Sequence, residues 1–86
     1  MSGKKKRQKP KHSVLKFLSE NILAFRQNEG ISQEEFADMC GLHRTYVGSI
    51  ERCERNVTVS TLEVISSVIG VSVPQLLTKG TLEYAK

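Results

Sequence analysis

The chain has no run of about 18 apolar residues, which excludes a helical membrane span. It has no internal repeat and no convincing strand. Val57-Thr58-Val59 alternates, but three residues are too few to build a sheet. Cysteine is limited to Cys40 and Cys53. The first residues are basic and no apolar segment follows them, so they do not read as a secretory signal. Cytoplasmic residence is therefore expected, with both thiols reduced. Cys40-x-x-His43 crosses a glycine turn, and Cys53 is a third conceivable metal ligand. A structural zinc site asks for four. The fourth would have to be His12, from the basic leader, so no metal is expected. A Cys–His pair without a third orienting group and without a phosphate-binding loop is no catalytic site. An enzyme, a cofactor and a small-molecule ligand are all unexpected.

What the chain does have is 86 residues, enough for one small domain. Its net charge is +4, and that charge is unevenly placed. Lys4, Lys5, Lys6, Arg7, Lys9 and Lys11 supply six of the thirteen basic residues. From His12 onward seven Lys and Arg face nine Asp and Glu. The foldable part is thus mildly acidic, and overall charge alone does not mark a nucleic-acid binder. Residues 1–12 are polar and like-charged, cannot bury a core, and read as a disordered basic tail. Three roles are open to that tail: an arm following the DNA backbone or minor groove, a non-specific electrostatic anchor, or a solubilising leader.

Residues 13–86 read as one all-α domain, with a polar loop from Cys53 to Val59 and no clear period from Gly80 to Lys86. Leu15, Leu18, Ile22 and Phe25 recur at steps of three and four, which is one face of a first helix ending near Asn28. Ser32 followed by Glu35 is a capping-box pattern. It opens a second helix, about 33–40, with Phe36, Ala37 and Cys40 inward. Gly41 falls where a left-handed cap belongs. A third helix, about 44–52, turns Val47 and Ile50 inward. Arg44 and Gly48, and likewise Thr45 and Ser49, are four apart and are expected outward. Ser60-Thr61-Leu62-Glu63 reads as the start of a fourth helix, with Leu62, Ile65 and Ile69 inward and Gly70 ending it. Ser72-Val73-Pro74-Gln75 starts a short fifth helix, about 73–78.

Helices two and three around a glycine turn form the most informative segment, ISQEEFADMCGLHRTYVGSIERCERN. Its second helix offers a polar outer face. A helix presenting Arg and hydroxyl groups can enter the DNA major groove, where Arg reads guanine edges and Thr touches a base edge or a thymine methyl. Gly48 in a helix interior admits two readings, close approach to DNA or close packing on helix two. Tyr46 likewise has two, a packed ring or a hydroxyl reaching a phosphate.

The text ISQEEFA, CGLHRTYVGSIER, STLEVIS and IGVSVPQLL resembles the Cro/repressor (XRE-type) helix-turn-helix family over roughly residues 17–78. HRTY at 43–46, with IER and ERN after it, is most like the controller proteins of restriction–modification systems. The resemblance implies an all-α, five-helix compact bundle of the lambda-repressor-like kind. It implies a homodimer on a pseudo-palindromic double-stranded DNA operator, regulating its own promoter and that of the endonuclease. Base reading maps onto Arg44, Thr45, Tyr46 and Ser49. Phosphate contacts map onto Gln33, His43, Arg52, Arg55 and Asn56. Arg26 and Glu51 correspond to an ion pair tying helix one to helix three. Two departures stand out: Gly48-Ser49 where the family often has Ser and a variable residue, and Cys53 where it often has Gly. A left-handed Cys53 would carry strain that glycine would not.

Val73, Leu76, Leu77, Leu82 and Tyr84 exceed what a short terminal helix hides, and they are expected at a dimer interface as well as in the core. Other readings are a phage-type repressor or, in a different class, an antitoxin-like adaptor. An adaptor would carry apolar anchors where Arg44 and Thr45 stand.

Overall fold

A computed structural model describes residues 13–83. The basic tail and Tyr84 lie outside the described residues. Five helices follow in order: α1 (Ser13–Glu29), α2 (Gln33–Cys40), α3 (Arg44–Glu51), α4 (Val59–Ile69) and α5 (Val73–Leu76). No strand occurs among the described residues. No helix there is long and apolar enough to cross a membrane.

The ends of the helices follow from local chemistry. Ser32 Oγ accepts the Glu35 N–H at 3.0 Å, and the Glu35 carboxylate accepts the Ser32 N–H at 2.8 Å. This reciprocal pair satisfies two donors that the first turn leaves free. Ser72 and Gln75 repeat the arrangement at the start of α5. The start of α4 differs from expectation. Thr58 is the cap, its Oγ1 accepting the Thr61 N–H at 3.1 Å, so α4 begins at Val59 and Ser60 lies in the first turn. α5 also stops earlier than its apolar pattern suggested, with Leu77 as its C-cap.

One core joins the helices. Leu18 and Ile22 of α1, Phe36, Ala37 and Cys40 of α2, Val47 and Ile50 of α3, Ile65 of α4 and Leu76 of α5 are all buried in it. Each of the larger aliphatic residues contributes about 1.5–3 kcal/mol by leaving water. Phe25 meets Phe36 edge to face, with ring centroids 5.7 Å apart. Both α1 and α2 pack against α3, so α3 is held from two sides. Leu76 is fully buried and plugs this core. That corrects its assignment to a dimer interface: it has no surface left for a second subunit. Val73, Leu77 and Leu82 are only half-buried.

Two polar residues on the inner side of α1 act as fasteners. Asn21 is 1% exposed. Its Nδ2 donates to the carbonyls of Leu76 and Thr78 at 2.8 and 3.0 Å, and its Oδ1 accepts the Leu82 N–H at 3.0 Å. These bonds close on the last residue of α5 and the segment that follows it. Ser19 Oγ donates to the Glu51 carbonyl at 2.6 Å, which ties α1 to the last turn of α3.

Candidate nucleic-acid interface

The link between α2 and α3 is set by Gly41 and His43. Gly41 is left-handed at φ 69°, and the Leu42 N–H reaches back to the Ala37 carbonyl at 2.8 Å. That bond closes a Schellman turn. His43 then caps α3, its Nδ1 accepting the Thr45 N–H at 3.0 Å. With Nδ1 an acceptor, the ring proton sits on Nε2. His43, Arg44 and Thr45 are all exposed.

Arg44 and Gly48 of α3, and Arg52 at its C-cap, follow at intervals of four along one stripe. Gln33, the first residue of α2, lies against that stripe at Gly48. Its Nε2 donates to Glu51 Oε1 at 2.7 Å. The other carboxylate oxygen of Glu51 stands 3.4 Å from Arg26 Nη1, with the two side chains only 16% (Arg26) and 5% (Glu51) exposed. Arg26 Nε and Glu51 Oε2 have no hydrogen-bond partner, so the contact is a charge pair without hydrogen-bond geometry. Glu51 therefore gathers α1, α2 and α3 at one point. Arg52 Nε donates to Glu54 Oε1 at 3.0 Å in a surface pair. Such pairs add little stability, and their use is to restrain the guanidinium.

A second cluster forms beside the first. Ser49 was expected outward, but it is only 7% exposed. Its Oγ donates to the Tyr46 carbonyl at 2.7 Å and accepts from Arg55 Nε at 3.1 Å. The Arg55 guanidinium carbon stands 5.0 Å from the centre of the half-buried Tyr46 ring. A serine so covered holds Arg55 and is not open to a base edge. Gly48 is also buried, beneath Gln33 and Arg52. Asn56 is exposed.

The end of α3 carries the anticipated strain. Cys53 has φ 60°, the sole non-glycine positive φ among the described residues. The Glu54 N–H bonds the Ser49 carbonyl at 2.8 Å, the same closure that glycine makes after α2. Cys40 points into the core, and burial pushes its thiol up to about 11 from 9.0. No group of three or more His, Cys, Asp or Glu among the described residues could hold a metal ion.

Sequence reasoning missed Ser19, Asn21 and the Ser49–Arg55 contact. A signal for Asn21 was present: it falls on the α1 stripe, three residues after Leu18 and four before Phe25. A polar residue on an apolar stripe marks a buried hydrogen-bonding role.

A capped pair of helices, with the second held from behind and exposing Arg and Thr at its start, defines a helix-turn-helix module. The HTH_3 helix-turn-helix family model matches residues 22–76. The control protein C.SmaI of Serratia marcescens is 47% identical over 70 residues, spanning 81% of this chain and 83% of that protein. The crystal structure of the hypothetical transcription factor NHTF from Neisseria has a TM-score of 0.73 at 38% identity and covers 87% of both chains. The controller protein C.Esp1396I, solved as a tetramer with its natural 35 base-pair operator, has a TM-score of 0.64 at 36% identity, covering 74% of this chain and 88% of that one. The chain belongs to the XRE-type helix-turn-helix family of DNA-binding transcription regulators, and within it resembles the controller proteins of restriction–modification systems.

Proposed function

We propose that this protein is a homodimeric, sequence-specific regulator of a restriction–modification system. It acts at a pseudo-palindromic operator and governs its own promoter and that of the endonuclease. The observation that carries this reading is the start of α3, where Arg44 and Thr45 are exposed on a helix braced by α1 and α2. Arg44 pairs with a guanine edge, a contact that discriminates by about 1–3 kcal/mol. Thr45 meets the neighbouring base, and the Tyr46 hydroxyl lies alongside.

Phosphate contacts surround these bases. Gln33 gives one amide hydrogen to Glu51 and keeps the other for a phosphate. Arg55 gives Nε to Ser49 and keeps both terminal nitrogens. Arg52, Asn56 and the His43 Nε2–H complete the ring. The basic leader adds attraction that is independent of sequence. Half-buried Val73, Leu77 and Leu82 supply the dimer contact together with Tyr84, and Leu76 supports them from the core.

Selection of bound sites from random duplex DNA by the full chain tests the reading. It should enrich two symmetry-related half-sites about one helical turn apart. Sedimentation at micromolar concentration should give a dimer. A failure to enrich any sequence would remove the DNA-reading role, and a clean monomer would remove the interface.

A further inference from the structure

Glycine is among the least favourable residues inside a helix, yet Gly48 sits in the middle of α3 and is buried there. Its backbone is ordinary, since it is absent from the glycines with positive φ. Nor is a neighbouring helix backbone the nearest obstacle. A Cβ at position 48 would stand 3.2 Å from Arg52 Nη1, 3.4 Å from Gln33 Oε1 and 3.7 Å from Gln33 Nε2. The three closest atoms thus all belong to the polar ends of Gln33 and Arg52.

We propose that Gly48 is a positioning residue for DNA: its missing side chain lets Gln33 of α2 and Arg52, the C-cap of α3, converge over the Arg44 stripe as one phosphate clamp. The inference rests on the DNA-reading role proposed above. Gln33 crosses the bare backbone to reach Glu51 at 2.7 Å. Arg52 comes to the same spot from the other end, its Nε restrained by Glu54 at 3.0 Å. A methyl group there would push the Arg52 end aside by a few tenths of an ångström and fill the space beside the Gln33 amide at ordinary contact distance. Both ends are flexible, so the fold tolerates the shift. A phosphate held by the two together does not, because charge-assisted hydrogen bonds depend on distance and direction. Gly48 therefore sacrifices helix stability for the placement of two contacts.

The experiment uses the full chain, the duplex it selects from random DNA, and the substitution Gly48→Ala. The variant should melt higher, because alanine favours the helix. The side-chain amide resonances of Gln33 should shift. Affinity for the selected duplex should fall by roughly three- to tenfold, the size of coupling typical of contacting side chains. In a Gln33→Ala, Arg52→Ala background, measured at low salt, the same substitution should change affinity no further. Wild-type affinity in Gly48→Ala would overturn the proposal, as would an equal loss in the double-alanine background. A lower melting temperature with weaker binding would make Gly48 a packing residue and overturn it too. Wild-type protein that selects no duplex would instead defeat the DNA-reading role itself.

Discussion

The two faces of α3 are built for opposite tasks. On the inner face Val47 and Ile50 are 0% and 1% exposed and locked against α1 and α2. At the start of the outer face Arg44 and Thr45 are exposed. Under the proposed DNA-reading role, the contrast separates position from specificity. The inner face fixes where the helix lies, and Arg44 and Thr45 can vary without loosening it. Between the two faces runs a border of shared residues, Gln33, Gly48, Glu51 and Arg52, where a change touches both.

Glu51 should give the largest effect, because it belongs to the inner face by charge and to the border by its bond with Gln33. Glu51→Ala strands the mostly buried Arg26 and frees the Gln33 amide. Breaking such a pair typically costs roughly 3–5 kcal/mol, in a domain whose whole stability is about 5–15 kcal/mol. Urea denaturation measures it. A loss below about 1 kcal/mol would mean the pair is solvated and the inner-face account too strong.

The exits of α2 and α3 sharpen the comparison. They close with matching 2.8 Å bonds, but one uses Gly41 at φ 69° and the other Cys53 at φ 60°. A side chain in this region costs about 1–2 kcal/mol. Cys53→Gly should therefore stabilise the protein by ~1 kcal/mol, offset in part by the entropy of an unfolded glycine. A raised denaturation midpoint would support this, whereas a lowered one would show that the Cys53 side chain packs favourably enough to outweigh its strain.

The thiols give a smaller, pH-dependent contrast. Cys40 has its pKa raised from 9.0 to about 11 by burial, so folding disfavours its thiolate. Stability should be unaffected by this group below pH 9 and should fall as pH rises from 9.0 through about 11. At pH 8 iodoacetamide should label the half-buried Cys53 well before Cys40. Equal rates would place Cys40 nearer solvent than its core position allows.

Much of this was legible in the sequence, because helix periods and caps are local. Ser32 with Glu35, and Ser72 with Gln75, each stand three apart and cap as their spacing requires. Thr58 was hidden because Ser60 and Glu63 offer a competing box two residues later. The hydroxyl of Thr58 won by reaching the Thr61 N–H. Ser49 faces outward on a bare helix, but Arg55 folds back over it from the loop, and no helical period encodes that cover. Leu76 belongs to an apolar group that the sequence divides between core and partner surface without saying which residue goes where. The demand of the core for one more side chain depends on how five helices meet, which is a tertiary fact.

The smallest effect on stability, and the most direct test, belongs to Arg44. Arg44→Ala removes an exposed side chain and should change stability by no more than about 0.5 kcal/mol. The measurement is affinity for the selected duplex against affinity for random duplex, at one salt concentration, for wild type and variant. The account predicts that the variant keeps its affinity for random DNA within a small factor and loses its preference for the selected site by roughly tenfold or more. An equal fall on both duplexes would reduce Arg44 to a phosphate contact and contradict the claim that the outer face of α3 reads sequence.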